Sequence, residues 1–466
     1  MPTNPDRLTG LDSSFLHLED GATHMHVAGA AILEGRAPAY DELIEHIVSR
    51  LHLVPRYRQR LAFVPFGQGR PVWVDDPHFN VAFHVRHTAL PSPGGDEQLK
   101  RLCGRIFSQA LDRSRPLWEL WLVEGLADDR FAVLSKTHHA LVDGISGVDI
   151  ATVLFDTFPD PAGVAPEPER TPRPLPSGAQ LMADALLERA TLPAEIARSV
   201  RAALRGRRQV AAKLGGAAYG LGAVAAAGLR SAPPSPLNVR IGPHRRFTWV
   251  RSDLQQFKVV KNALGGTVND VVLAAVAGAL GRYLRRREGP VDGTVLRAMV
   301  PVSVRADVER GALGNRVAAM WAGLPIGETD PIKRLERISD EMSDVKESGQ
   351  AVGAQVLTEL TGFAPPTIMA QAARLSARQR MFNLVVTNVP GPQFPLYMLG
   401  RRLQEMFPMV PLAANQALGI AIMSYDGQLN FGLNVDYDAL PDVERLAQDL
   451  TDAIAELLQA AVPVRS

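Results

Sequence analysis

Lys136-Thr137-His138-His139-Ala140-Leu141-Val142-Asp143-Gly144 is the stretch on which the reading of the whole chain turns. It follows the short apolar run Phe131–Lys136 (FAVLSK), whose composition suits a strand. Two histidines therefore end a strand, an Asp follows the second after four residues, and a Gly closes the set. A neutral imidazole at a strand end can project into a cleft and act as a general base near neutral pH. Asp143-Gly144 is a turn dipeptide that can bring the chain back, and the Asp can fix the loop or the imidazole tautomer. A general-base loop, a metal half-site and a structural loop with internally bonded histidines all remain open here. The metal reading lacks a partner Cys or an HExxH pattern.

Working outward, Met25–Leu33 (MHVAGAAIL) reads as a buried strand and Tyr40–Leu51 as a helix. A helical pattern runs from Ile145 to Phe155. A composition break follows: Pro159 to Pro176 holds seven prolines in 18 residues, the signature of a semi-rigid linker. A helical stretch comes next, from about 180 to 230. The α/β pattern then resumes, with a helix over Val268–Arg286, strands over Leu296–Val304 and Phe382–Asn388, and a last helix over Pro441–Ala461. Ile420–Tyr425 and Gln428–Tyr437 flank Asp426-Gly427, a dipeptide suited to a tight hairpin because both positions tolerate φ > 0. The spacing predicts three blocks: an α/β lobe over 1–158, a Pro-rich and helical crossover over 159–232, and a second α/β lobe over 233–466.

Composition narrows the function classes. The chain has 466 residues, 50 Lys+Arg against 49 Asp+Glu, and one cysteine. A near-zero net charge argues against a nucleic-acid-binding body. One cysteine excludes an internal disulfide framework and a multi-cysteine zinc site. Cys103 shares a helical face with Leu102 and Ile106, which makes it a small packed hydrophobe rather than a nucleophile. No signal peptide is read at the N-terminus and no apolar run of spanning length is found. A cytoplasmic protein, peripheral to the inner membrane or to lipid droplets, is the expected setting.

The crossover supplies the reason to expect a membrane. Ile196, Val200, Ala203 and Leu204 form an apolar stripe, with Arg198, Arg201 and Arg205 on other faces and Arg207, Arg208 and Lys213 after them. A basic amphipathic helix suits an anionic lipid surface. The uncharged stretch Leu214–Leu229 that follows is too short to span.

HHALVDG matches the HHxxxDG motif of the CoA-dependent acyltransferase superfamily. Further stretches resemble, in order, the bacterial wax ester synthase/diacylglycerol acyltransferase family: Leu8-Thr9-Gly10-Leu11-Asp12-Ser13-Ser14-Phe15, Met25-His26-Val27, Pro116-Leu117-Trp118, Thr267-Val268-Asn269-Asp270-Val271, Pro301-Val302-Ser303-Val304-Arg305, Gly314-Asn315 and Thr387-Asn388-Val389-Pro390-Gly391-Pro392. The likeness runs from about residue 7 to about residue 460. It implies an α/β fold of two chloramphenicol-acetyltransferase-like lobes around a central channel. It implies acyl-CoA as donor and diacylglycerol or a long-chain alcohol as acceptor. His139 would be the general base beside His138, with no covalent intermediate, in keeping with the lack of a GxSxG elbow. Asp143 and Gly144 would shape the loop, with Arg305 a candidate partner of Asp143. No metal or redox cofactor is implied, since CoA arrives with the substrate.

Other residues have readings of their own. Thr267 and Asp270 make a capping box at the start of a long helix. Asn269 is not needed by that box, and its amide can donate to a developing oxyanion or orient substrate. Asn388, at the end of a strand, can reach the same channel. Trp118 begins a strand and suits core packing. Competing readings are wax ester synthesis from a fatty alcohol, a carrier-protein-dependent acyltransferase, which would call for an adjacent carrier domain, and a non-catalytic lipid-binding protein, which would tolerate an eroded histidine motif.

Overall fold

The computed structural model describes residues 6–142, 153–160, 163, 173–188, 190, 231–303, 317–347 and 380–462. The expected helix at 145–155, except its last residues, and nearly all of the crossover, including Arg198, Arg201 and Arg205, lie outside these residues. So do Asp143, Gly144, Arg305 and Gly314-Asn315.

Two six-stranded sheets carry the chain. In the first, β1 (His26–Glu34) lies between β6 (Arg130–His138) and β12 (Arg401–Met409). Beyond β6 come β5 (Trp118–Leu126) and β4 (Val85–Ala89), and β11 (Tyr397–Met398) closes the other edge. The second sheet runs β7 (Arg245–Val250), β14 (Gln428–Asp436), β13 (Leu418–Tyr425), β10 (Leu384–Pro390), β8 (Leu296–Ser303) and β9 (Val317–Leu324). Here β10 pairs parallel with both β13 and β8, while β13–β14, β14–β7 and β8–β9 are antiparallel. A short ribbon, β2 (Gln59–Ala62) with β3 (Val72–Asp75), stands apart.

The local patterns explain most of this. β14 is buried along nearly its whole length, as a strand covered on both faces should be. Asp426 and Gly427 take φ of 43° and 83°, the positive values a tight β13–β14 hairpin needs. The helix Val268–Glu288 is buried from Asp270 through Gly281, which is why its apolar residues show no single stripe. It packs against Val443–Ala461 in one large core with the second sheet. The expected helix over Tyr40–Leu51 stops at Val48. A separate 3₁₀ turn, Leu51–Leu53, follows, ahead of Pro55, which restricts the residue before it.

One connection departs from the block boundaries expected from composition. After β10 the chain leaves the second sheet, adds β11 and β12 to the edge of the first, and returns as β13. Residues 397–409 thus belong to the first lobe's sheet, although they lie deep in the 233–466 block. β12 pairs with β1 in the register Ala28↔Met409. Trp249 of β7 stacks on Phe407 of β12, with ring centroids 4.6 Å apart, and Phe247 meets Phe107 edge-on. One apolar cluster therefore takes residues from both lobes. Cys103 is fully buried in it, and burial pushes its thiol pKa up, away from nucleophilic use.

Candidate active site

Both histidines are held through their main chains by the residues that lead into the strands beside them. The His138 N–H donates to Leu117 O at 2.9 Å and the His139 N–H to Met25 O at 2.8 Å. Pro116-Leu117-Trp118 and Met25-His26-Val27 thus grip the pair from either side. His138 is buried, and its Nδ1 accepts from the Ala140 N–H at 3.0 Å. The proton of a neutral His138 ring is then on Nε2, which lies 3.3 Å from Glu19 Oε1, off the hydrogen-bond axis.

His139 differs from its neighbour. Its ring is stacked on Phe15, with centroids 4.0 Å apart and 23° between planes. Phe15 is carried there by the helix Gly10–Leu18, whose N-cap Thr9 accepts from the Asp12 N–H. The His139 pKa is lowered to about 4. Burial is the main cause and the neighbouring His138 adds to it, while a hydrogen bond to its own main chain opposes them. The ring is therefore neutral at pH 7, and a neutral imidazole has one nitrogen that can accept a proton.

Glu19 is the residue that sequence reasoning missed. Its Oε1 accepts the Met25 N–H at 2.7 Å, and its Oε2 accepts from Arg113 Nε at 3.0 Å. Burial raises its pKa, but His138, Arg113 and the Met25 amide outweigh that and hold it at about 2. Glu19 therefore joins the segment that grips His139 to the ring of His138. An isolated Glu after an amphipathic helix carries no local signal of this, because its partners come from 6 to 119 residues away. Glu19→Ala leaves the Met25 N–H and Arg113 without their carboxylate. It is expected to cost about 3 kcal/mol or more of stability, read as a fall in urea midpoint. An unchanged midpoint would remove Glu19 from the framework.

Beneath the histidines lies a polar layer with little access to water. Lys136, 1% exposed, donates to Ile106 O and Gln109 O and pairs with Glu119 at 3.1 Å. It thereby caps the carboxyl end of the helix Asp96–Phe107. His26 Nε2 lies 3.0 Å from Phe107 O, and its pKa is well below the usual value through burial and the nearby Lys136. Trp118 is buried, donates to Tyr57 O at 2.8 Å and stacks on His84. Its surroundings are core, the role expected of it.

The second cluster is in the other lobe. Thr267 and Asp270 form the reciprocal capping box, and Asp270 is buried. Asn269 sits in the first turn of the same helix, and Asn388 lies near the end of β10. Asn388 Nδ2 donates to Asn269 Oδ1 at 3.5 Å, and both line a cavity of about 340 Å³ with Ser424. Among the described residues nothing else bonds the Asn269 NH₂, which lies close to a helix N-terminus that favours negative charge. No hydrogen bond or ion pair among the described residues links this pair to His139.

The wax ester synthase/diacylglycerol acyltransferase catalytic-domain model matches residues 8–272, and the C-terminal domain model of the same family matches residues 313–458. A probable diacylglycerol O-acyltransferase of Mycobacterium tuberculosis is 34% identical over 468 residues, covering 97% of this chain and 96% of that protein. A second from the same organism is 36% identical over 462 residues, covering 96% and 98%. Among solved structures, the wax ester synthase/diacylglycerol acyltransferase of Marinobacter aquaeolei VT8 matches with a TM-score of 0.68 at 29% identity, covering 98% and 99%. The first condensation domain of the CDA synthetase shares the fold, with a TM-score of 0.54 at 15% identity over 97% of each chain.

Proposed function

The chain belongs to the wax ester synthase/diacylglycerol acyltransferase family and is an acyltransferase, and from that premise we propose that it moves a long-chain acyl group from acyl-CoA to diacylglycerol, with His139 as general base. The unprotonated nitrogen of the neutral His139 ring takes the proton of the acceptor hydroxyl as that oxygen attacks the thioester carbonyl. The C–O bond forms, the C–S bond breaks, and the proton passes from His139 to the departing thiolate. No acyl-enzyme is needed. The observation that carries this reading is the His139 ring, held neutral by burial, fixed on Phe15 and tied to its own main chain.

Asn269 is the residue we assign to the developing oxyanion or to substrate orientation, with Asn388 fixing its amide; the Asn269 NH₂ near a helix N-terminus supports this. Asp143 and Gly144 shape the loop after the histidines in this reading, with Arg305 as the partner of Asp143. The names of the mycobacterial relatives favour diacylglycerol as acceptor, and that of the Marinobacter enzyme keeps a fatty alcohol as the second reading.

Purified protein with palmitoyl-CoA and either diolein or hexadecanol decides the acceptor, following CoA thiol release and neutral lipid together. Faster turnover with diolein is expected. Faster turnover with hexadecanol would exchange the two readings, and no thiol release with either would reject the function.

A further inference from the structure

A cavity of about 610 Å³ opens between the helix Asp96–Phe107 of the first lobe and residues 243–247 of the second, a size typical of small-molecule sites. Its described lining is strongly cationic: Lys100, Arg101, Arg105, Arg245 and Arg246, with His244, against the carboxylates Glu97 and Glu444, while Asp436 lies 3.9 Å from Arg245. Part of this charge is already engaged. Lys100 contacts both carboxylates at 3.0 Å, Arg245 is spent on the carbonyls of Gly242, His244 and Ala22, and Arg246 bonds to Tyr437 O. Among the described residues, Arg101 and Arg105 have no carboxylate partner. Both are exposed. Arg101 gives one hydrogen bond, to Glu97 O, and Arg105 has no hydrogen bond or ion pair among the described residues. Two arginines four residues apart on one helix repel each other, so the excess charge disfavours the empty pocket and favours a multiply charged anion in it.

The inner wall leads to the histidines. The Arg245 N–H donates to Ser108 Oγ at 2.8 Å, and the Arg245 guanidinium donates to Ala22 O. Ala22 begins the short segment ending at Met25, whose carbonyl holds the His139 N–H. The pocket wall is therefore connected through Arg245, Ala22 and the segment to Met25 with the main chain of the proposed base.

We propose that this pocket binds the phosphate groups of the nucleotide end of acyl-CoA, with Arg101 and Arg105 as the principal contacts. The proposal rests on acyl-CoA being the donor. Phosphate recognition by arginine is shared by CoA and by anionic lipid headgroups, and the experiment separates the two. Titration calorimetry compares the wild-type chain with the Arg101→Ala/Arg105→Ala variant, whose substitutions are on the surface and whose melting temperature checks the fold. CoA is expected to bind the variant about tenfold or more weakly, pantetheine is expected to bind both proteins alike, and the CoA difference should shrink as salt is raised. In turnover, the KM for palmitoyl-CoA rises while kcat stays near wild type. Unchanged CoA affinity and KM in a wild-type background that does turn over palmitoyl-CoA would overturn the pocket assignment alone. A wild-type chain that binds no CoA would overturn the donor reading and the pocket assignment with it. Loss of flotation with phosphatidylglycerol vesicles, at unchanged CoA affinity, would also overturn the proposal and transfer the pocket to a lipid headgroup.

Discussion

His139→Ala is expected to lower kcat on palmitoyl-CoA and diolein by about 10²–10⁴-fold, the usual contribution of a positioned general base. The side chain contributes little to the framework that holds it. That framework is the Met25 carbonyl on its main-chain N–H, the Leu117 carbonyl on its neighbour, and Glu19 across both. The variant should therefore fold, bind CoA with near wild-type affinity and fail in the chemical step. Thiol release in single-turnover reactions separates the two effects. Turnover within a few-fold of wild type would reject the proposed mechanism.

The same ring sets a pH dependence. With its pKa lowered to about 4, His139 is deprotonated and competent at all pH values well above 4. The acid limb of kcat/KM should then lie near pH 4 rather than at the usual histidine value. Stability changes over an overlapping range, with a sign that can be worked out. His26, His46 and His84 are buried, and burial lowers the pKa of each. Below about pH 6.5 the unfolded chain binds protons that the folded chain does not, so stability falls as pH drops from there. Glu19, held at about 2, gives stability that is present above its ordinary value near 4.5 and is lost as pH falls through 4.5 toward 2. Brief acid exposure followed by assay at pH 7 distinguishes reversible protonation of His139 from acid unfolding. A limb near pH 6.5 would contradict a ring whose pKa is lowered to about 4.

Local patterns made much of the fold legible. The β1 strand, the β6 run into the histidines, the capped helix at Thr267 and the Asp426-Gly427 hairpin each rest on residues within one element and its ends. The ordered motifs led to the family. Three things could not be read in this way. The entry of β11 and β12 into the first sheet depends on pairing between residues more than 370 positions apart, such as Ala28 and Met409, and nothing in RRLQEMFPM says which sheet edge it will meet. Glu19 acquires its role only once Met25, Arg113 and His138 surround it. The cationic cavity needs both lobes, because Arg101 and Arg105 read alone as the solvated face of an amphipathic helix. At the second cluster, Asn269 and Asn388 were each nominated from sequence, and their contact at 3.5 Å is the added finding.

The meeting of the two lobes yields the other large effect. Gly432 of β14 lies against β12, and a Cβ there would stand 1.8 Å from Pro408 O and 3.2 Å from Phe247 Cε2. The nearest neighbour is backbone, so no rotamer change relieves the clash; the sheets themselves have to separate. Gly104 repeats the arrangement on the helix side, where a Cβ would stand 2.9 Å from Arg245 O. Gly432→Ala is thus expected to destabilise the protein by about 3 kcal/mol or more, which for lobes of this size is roughly 6–12 °C in melting temperature. Gly29→Ala is the matched control, since its Cβ would stand 3.4 Å from Phe407 O, and a far smaller shift is expected. Calorimetry should also show the Gly432 variant's transition broadening or splitting, because the substitution pries apart the one apolar cluster shared by Trp249, Phe407 and Phe107. Turnover should fall with it, as the histidines belong to one lobe and the asparagines to the other. A melting temperature within a degree or two of wild type would mean that the lobes do not depend on this close approach.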